Sequence, residues 1–284
     1  MKKLLLFFYV FILAASSFAT GQDGDVIYIN GEQWSLLIKP VDWDSTLYFT
    51  LKDALPKERS YSTANWDGYT GHWSVKSKRL VLDSITVRFY DKSTRKEWQE
   101  SLPEAQMRRI FKDYYVKNDI VATWLTKNIR MAQGKTVYYE HMGYERNHEL
   151  EQIFTIKQGK VKGRKSFQNR LVVDGYTFTN LLRSPTVLKA RFPLQIENYP
   201  ELEGEGSISF SVKDIQVDAS GNLLDCDVRA RIGRYPNLTE VKELAQEMKE
   251  KLMVIRPWKT VLINGDYYLF NTKHGFSFIY RLDR

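Results

Sequence analysis

Cysteine is almost lacking: Cys226 stands alone in 284 residues. No internal disulfide can staple the chain, so its cores must be held by packing. Proline is scarce too, with 8 residues spread over the whole length, which excludes a proline-rich spacer and a collagen-like repeat. Histidine is confined to His72, His141, His148 and His274. His141 and His148, with Glu140, Glu145 and Glu149 around them, are the one cluster that bears on a metal. Their spacing is not the i,i+4 pair of a zinc helix and no cysteine can join them, so a surface loop is expected and no metal. The nucleophile elbow, the P-loop and the dinucleotide fingerprint are all lacking. Cys226, in a strand-like run between Asp225 and Asp227, has neither the histidine nor the electropositive setting of a nucleophile. It reads as a small buried apolar residue. No catalytic residue and no cofactor are therefore expected, and the protein is not read as an enzyme.

What the chain does hold is 43% hydrophobic, 14% aromatic and 27% charged residues. That is enough apolar surface for one large or two medium cores, and it excludes intrinsic disorder. The formal net charge of +8 comes without a clustered arginine stripe. A solvated basic surface near anionic lipid or polysaccharide is expected, and no nucleic acid as partner. The sequence opens on Met1-Lys2-Lys3, an apolar run from Leu4 to Ala15, and the small-residue stretch to Ala19. These read as a secretory signal peptide over 1–21, cut after Ala19 or after Gly21. The apolar run is shorter than the roughly 20 residues of a membrane-spanning helix. A periplasmic or secreted protein with no stable membrane span is the expectation.

Periodicity predicts an α+β fold. Val26 to Ile29 and Glu32 to Ile38 flank Asn30-Gly31, a hairpin signal. Asp44-Ser45 opens a short helix that Pro56 stops. Trp66 to Tyr90 reads as sheet with a turn at Lys76-Ser77-Lys78. Ser101-Leu102-Pro103-Glu104 has the form of a capping box, with Met107, Ile110, Phe111 and Tyr114 at helical spacing behind it. Strands return over 120–125, 137–140, 150–156 and 171–173. A β-meander with one or two packed helices is expected for an aromatic-rich domain over 24–180, followed by a turn-like connector over 181–203.

Residues 204–284 alternate through Ile208, Phe210 and Val212, turn at Asp218 to Gly221, and return through Leu224, Cys226 and Val228. Asn237-Leu238-Thr239-Glu240 reads as a second capping box before an apolar helical face of Val241, Leu244, Met248 and Leu252. Trp258, Asn264-Gly265 and the alternating Phe276, Phe278 and Tyr280 complete the run. In this order the segment resembles the TonB C-terminal domain, with its strand, D-x-x-G-like turn, strand, helix, Trp, N-G turn and last alternating strand. One departure is Thr260, where that family often carries proline. The proline-rich spacer and uncleaved membrane helix of energy-transducing TonB proteins have no counterpart, so force transmission is not implied. The resemblance implies an interaction module of the Gram-negative envelope. Its partner would be an envelope protein or an extended peptide, added to an exposed sheet edge.

Phe276, Phe278 and Tyr280 mark the strand expected to form that edge, although alternating aromatics in a last strand also pack inward. Ser62 to Tyr69, with Trp73 and Leu80 to Ile85, resembles a motif of uncharacterised bacterial proteins to which no activity attaches. Trp66, Tyr69 and Trp73 gather around one turn and are the candidates for stacking on a sugar ring. A glycan partner, or an enzyme acting on envelope polymers through this first domain, is the alternative to peptide capture.

Overall fold

The computed structural model describes residues 21–284 except 140–142, 183, 235 and 283–284. The expected signal segment, apart from Gly21, lies outside the described residues, as do Glu140 and His141. Among the described residues no helix is long and apolar enough to cross a membrane. The chain divides between Ser166 and Phe167 into two compact units. Both helices and strands are present and strand predominates, so the class is α+β.

The first unit grows from local hairpins. β1 (Asp25–Ile29) and β2 (Glu32–Leu36) join at Asn30-Gly31, whose φ values of 52° and 83° suit the right-handed twist of the two strands. The helix Ser45–Ala54 follows, with the Asp44 carboxylate accepting from the Leu47 amide at 2.9 Å. β3 (Tyr69–Lys76) and β4 (Arg79–Asp91) turn at Ser77-Lys78, again with two positive φ values. β5 (Lys96–Ser101) pairs with β4. Beyond the helix Glu104–Ile110 come β6 (Tyr115–Val116), β7 (Asp119–Val121), β8 (Lys127–Tyr139), β9 (Arg146–Lys157) and β10 (Lys160–Gln168).

A simple meander is not what these strands make. Their order is β10-β9-β8-β2-β1-β3-β4-β7-β6, and β1 runs parallel to β3 across the connection that holds the Ser45–Ala54 helix. β10 then meets β4, through Lys160 opposite Arg79 and the bonds Leu80 N to Gly159 O at 2.8 Å and Val161 N to Lys78 O at 2.9 Å. The sheet thus closes on itself at that end. Ile27, Leu36, Trp73, Leu82, Ile85, Phe111 and Met131 fill its interior, each worth about 1.5–3 kcal/mol of burial. The expected capping box at Ser101 is not formed: Ser101 ends β5, and Pro103 precedes the helix with no side-chain cap.

The second unit begins earlier than expected. β11 (Arg170–Val173) pairs with β15 (Thr260–Ile263), and β16 (Asp266–Leu269) completes a three-stranded sheet. Residues 181–203 are no bare connector. They hold the helix Pro185–Arg191 and send Leu181, Leu182, Leu188, Phe192 and Leu202 into the second core. The other sheet runs β14-β13-β12-β17, from β12 (Ser207–Val217), β13 (Leu223–Arg234), β14 (Asn237–Glu240) and β17 (Phe276–Arg281). Asn237 to Glu240 is therefore a strand and not a capping box, because Arg231 to Arg234 supply it with main-chain partners. The helix Lys242–Met253 starts after Val241, uncapped by any side chain, and buries Leu244, Met248 and Leu252. Cys226 is buried in β13, and burial pushes its thiol up to about 11.

Candidate functional site

β17 ends the four-stranded sheet, with β12 on one side and, among the described residues, no strand on the other. The Leu282 amide donates to Gly206 O at 3.1 Å. With Phe278 opposite Phe210 and Tyr280 opposite Ile208, that bond turns the main chain of 276, 278 and 280 toward β12. The N–H and C=O groups of Ser277, Ile279 and Arg281 therefore point away from the sheet. Side chains alternate at right angles to this: Phe278 and Tyr280 are buried and Phe276 is half-buried, while Ile279 is 60% exposed. The three aromatics named from the sequence thus build the strand's inner face, and what its outer edge offers is backbone.

A groove of about 420 Å³ lies along this edge, lined by Phe178, Leu182, Pro185, Phe276, Ile279 and Arg281. Phe178 stacks on Phe276 at 5.0 Å between ring centroids, and Phe278 stacks on Phe210 at 5.1 Å. A second cleft of about 300 Å³, with Pro193, Leu194 and Ile196 in its wall, continues past Tyr280 to Leu282. Unpaired strand groups beside hollows that can take side chains are the components of strand-addition binding, in which the main chain gives affinity and alternate side chains give specificity.

The aromatic turn of the first unit is arranged otherwise. Trp66 is 63% exposed, but Tyr69 and Trp73 lie in the core, so the three do not form a stacking platform. Tyr69 and Trp73 are four residues apart on β3 and share its inner face. The Tyr69 hydroxyl donates to Asp42 at 2.7 Å and the Trp73 indole N–H to Asp25 at 2.8 Å.

What the segment from Arg59 to Tyr69 does is close around Lys39, which is 4% exposed. The Lys39 Nζ donates to Asn65 Oδ1 at 2.8 Å and to Tyr69 O at 2.9 Å. It lies 3.6 Å from Asp67 Oδ2 and 4.1 Å from the centre of the Tyr69 ring. Asp67 in turn accepts from the Tyr48 hydroxyl at 2.8 Å, and Arg59 Nε donates to Asp67 O at 2.9 Å. Neither Lys39 nor Asp25 was singled out above. The available signal was a charged residue set in the apolar run Leu36-Leu37-Ile38-Lys39-Pro40-Val41, since lysine is rarely fully buried unless paired.

Asp25 is almost entirely buried, with one oxygen accepting from Gly71 N and the other from the Trp73 indole, both at 2.8 Å. Burial pushes its carboxyl up to about 7, against the opposing pull of Lys39 and the two N–H donors. A carboxyl raised on folding stabilises the native state below its ordinary value near 4, and that contribution fades as pH rises through about 7. The Asp25 side-chain carbon resonance should titrate with a midpoint near 7. Unfolding free energy should also decline over the interval from about 4. A midpoint in the ordinary aspartate range would show that the two N–H bonds and Lys39 outweigh burial.

No family model matches the chain, and no curated protein and no solved structure matches it.

Proposed function

We propose that this is an exported protein of the cell envelope whose second unit captures an extended peptide by adding it as a strand to β17, without transmitting force and without catalysis. The observation that carries this reading is the open edge of β17, where Ser277, Ile279 and Arg281 turn their main-chain groups away from β12. The groove beside them, part apolar through Phe178, Leu182 and Pro185 and part polar through Asn271 and Arg281, has room for alternate side chains of such a peptide. In this proposal β12, β13, the Lys242–Met253 helix and β17 correspond to the strand, strand, helix, strand order of a TonB C-terminal-like domain. Trp258 and the Asp218–Gly221 turn are joined by the bond from Trp258 N to Gly221 O at 2.8 Å. The separate sheet of β11, β15 and β16 is an addition to that pattern.

The test exploits the strand's two sides. Proline at 279 removes an outward N–H and leaves the bonds of 278 and 280 to β12, whereas proline at 278 would break the sheet itself. Peptides selected from a random library on the purified protein should bind Ile279→Pro at least about tenfold more weakly, the loss of about 1.4 kcal/mol expected for one or two main-chain hydrogen bonds. Ile279→Ala, which keeps the N–H, should bind within a few-fold of the parent. Equal binding by a folded Ile279→Pro protein would remove edge addition from consideration.

A further inference from the structure

The outward face of the first unit's sheet holds a cleft of about 420 Å³ whose lining is nearly all polar. Alternation along the strands places its side chains. β2 contributes Gln33 and Ser35, β3 contributes Thr70 and His72, β4 contributes Thr86 and Arg88, and β5 contributes Gln99. Register brings them side by side, with Val26 between Ser35 and His72, Thr70 opposite Thr86, and Arg88 opposite Gln99. Asn65 and Arg146 stand at the rim.

The chemistry of this lining is selective. Amides and hydroxyls both donate and accept, which matches the hydroxyl groups of a sugar, each also a donor and an acceptor. Among the described residues no lysine lines the cleft and Val26 is its one aliphatic side chain, so those residues offer no desolvated apolar anchor of the kind found at a protein-binding hot spot. His72 holds Thr86 Oγ1 at 3.0 Å, and its ring lies 19° from the plane of Tyr28, which is partly exposed beside it. Burial holds the His72 imidazole below its ordinary value, leaving the positive charge to the arginines.

Among the described residues, two carboxylates line the cleft, and neither pairs with Arg88. Asp25 is turned inward onto Gly71 and Trp73. Asp23 lies 3.7 Å from Arg146, whose Nη2 is bound to Gln22 O at 2.7 Å. Arg88 is exposed, and its guanidinium has no partner among the described residues. A guanidinium fork beside the neutral amide and hydroxyl side chains of β2 to β5, with Asp23 drawn to Arg146 at the rim, fits a planar carboxylate carried on a polyhydroxylated ring. The cleft volume is that of a small-ligand site.

We propose that this cleft binds an acidic saccharide, its carboxylate held by Arg88 and its hydroxyls by the amide and hydroxyl side chains across β2 to β5. The experiment uses the purified full chain on a glycan array that displays uronic-acid and sialic-acid oligosaccharides beside their neutral counterparts, with affinities of retained sugars measured by calorimetry. Expected is retention of acidic members over the matching neutral ones. Arg88→Gln, an exposed change that leaves the core intact, should weaken them about tenfold or more, and the same sugars should bind Ile279→Pro as they bind the parent. Retention of no acidic sugar, equal retention of neutral ones, or indifference to Arg88→Gln would each overturn the proposal. Because Ile279 lies in the other unit, failure here and failure of peptide capture are separately visible.

Discussion

Replacing Lys39 by methionine lowers the thermal unfolding midpoint of the first unit by about 10 °C, the result expected when one partner of a buried ionic cluster is removed. Methionine fills much of the same space, so the loss is not chiefly one of packing. It leaves Asn65 Oδ1 and Tyr69 O without their donor and takes the positive charge from among Asp25, Asp42 and Asp67. Breaking such a pair typically costs about 3–5 kcal/mol, and a domain of this size loses roughly 2–4 °C per kcal/mol. Asp42 is already raised by burial, with Lys39 among the groups that hold it down. Removing that charge raises Asp25 and Asp42 further, so the deficit should be largest at neutral pH and shrink as the carboxyls protonate in acid. Circular dichroism melts of parent and Lys39→Met at neutral and acid pH measure both effects. A shift that is small, or the same at both pH values, would mean that Lys39 contributes its hydrocarbon stem and little else.

The parts of the fold written locally are the parts that can be read from the sequence. Asn30-Gly31, Ser77-Lys78, Gln158-Gly159 and Asn264-Gly265 each put two consecutive residues at positive φ and each joins neighbouring strands. Asp44 caps its helix for an equally local reason. Pairings between distant strands leave no such mark. The parallel contact of β1 with β3, the contact of β2 with β8 and the closure of β10 on β4 depend on how whole hairpins pack. Asn237 to Glu240 shows the same competition at close range, where main-chain partners on β13 override a cap-like pattern.

The candidate sites divide along the same line. That Phe278 and Tyr280 face one way follows from the period of a strand, but that β17 has no strand beside it other than β12 among the described residues is a property of the assembled sheet. Tyr69 and Trp73 share a strand parity that aromatic density alone does not convey. The polar cleft draws residues from β2, β3, β4 and β5, spread from Gln33 to Gln99. No segment of sequence holds enough of it to be recognised.

Replacing Gly221 by alanine should cost the second unit about 3 kcal/mol or more, because a conformational penalty and a collision fall on the same atom. Gly221 closes the turn that Asp218 organises by accepting from the Ser220 and Asn222 amides, both at 2.8 Å, and its own φ is 78°. A side chain at that φ costs about 1–2 kcal/mol. An added Cβ would also stand 2.5 Å from Trp258 O and 3.1 Å from Trp258 N. Both are main-chain atoms, so no rotamer change relieves the overlap. Trp258 cannot retreat freely, since Tyr176 binds Pro257 O at 2.9 Å and Lys259 N at 2.8 Å on either side of it, and its indole is buried in the second core. Gly265 supplies the control: its φ is 98° but nothing lies within 4 Å of an added Cβ, so Gly265→Ala should lose only the conformational part. Urea unfolding followed by circular dichroism should therefore rank Gly221→Ala well below Gly265→Ala, and equal stabilities would show that the Trp258 backbone yields without cost.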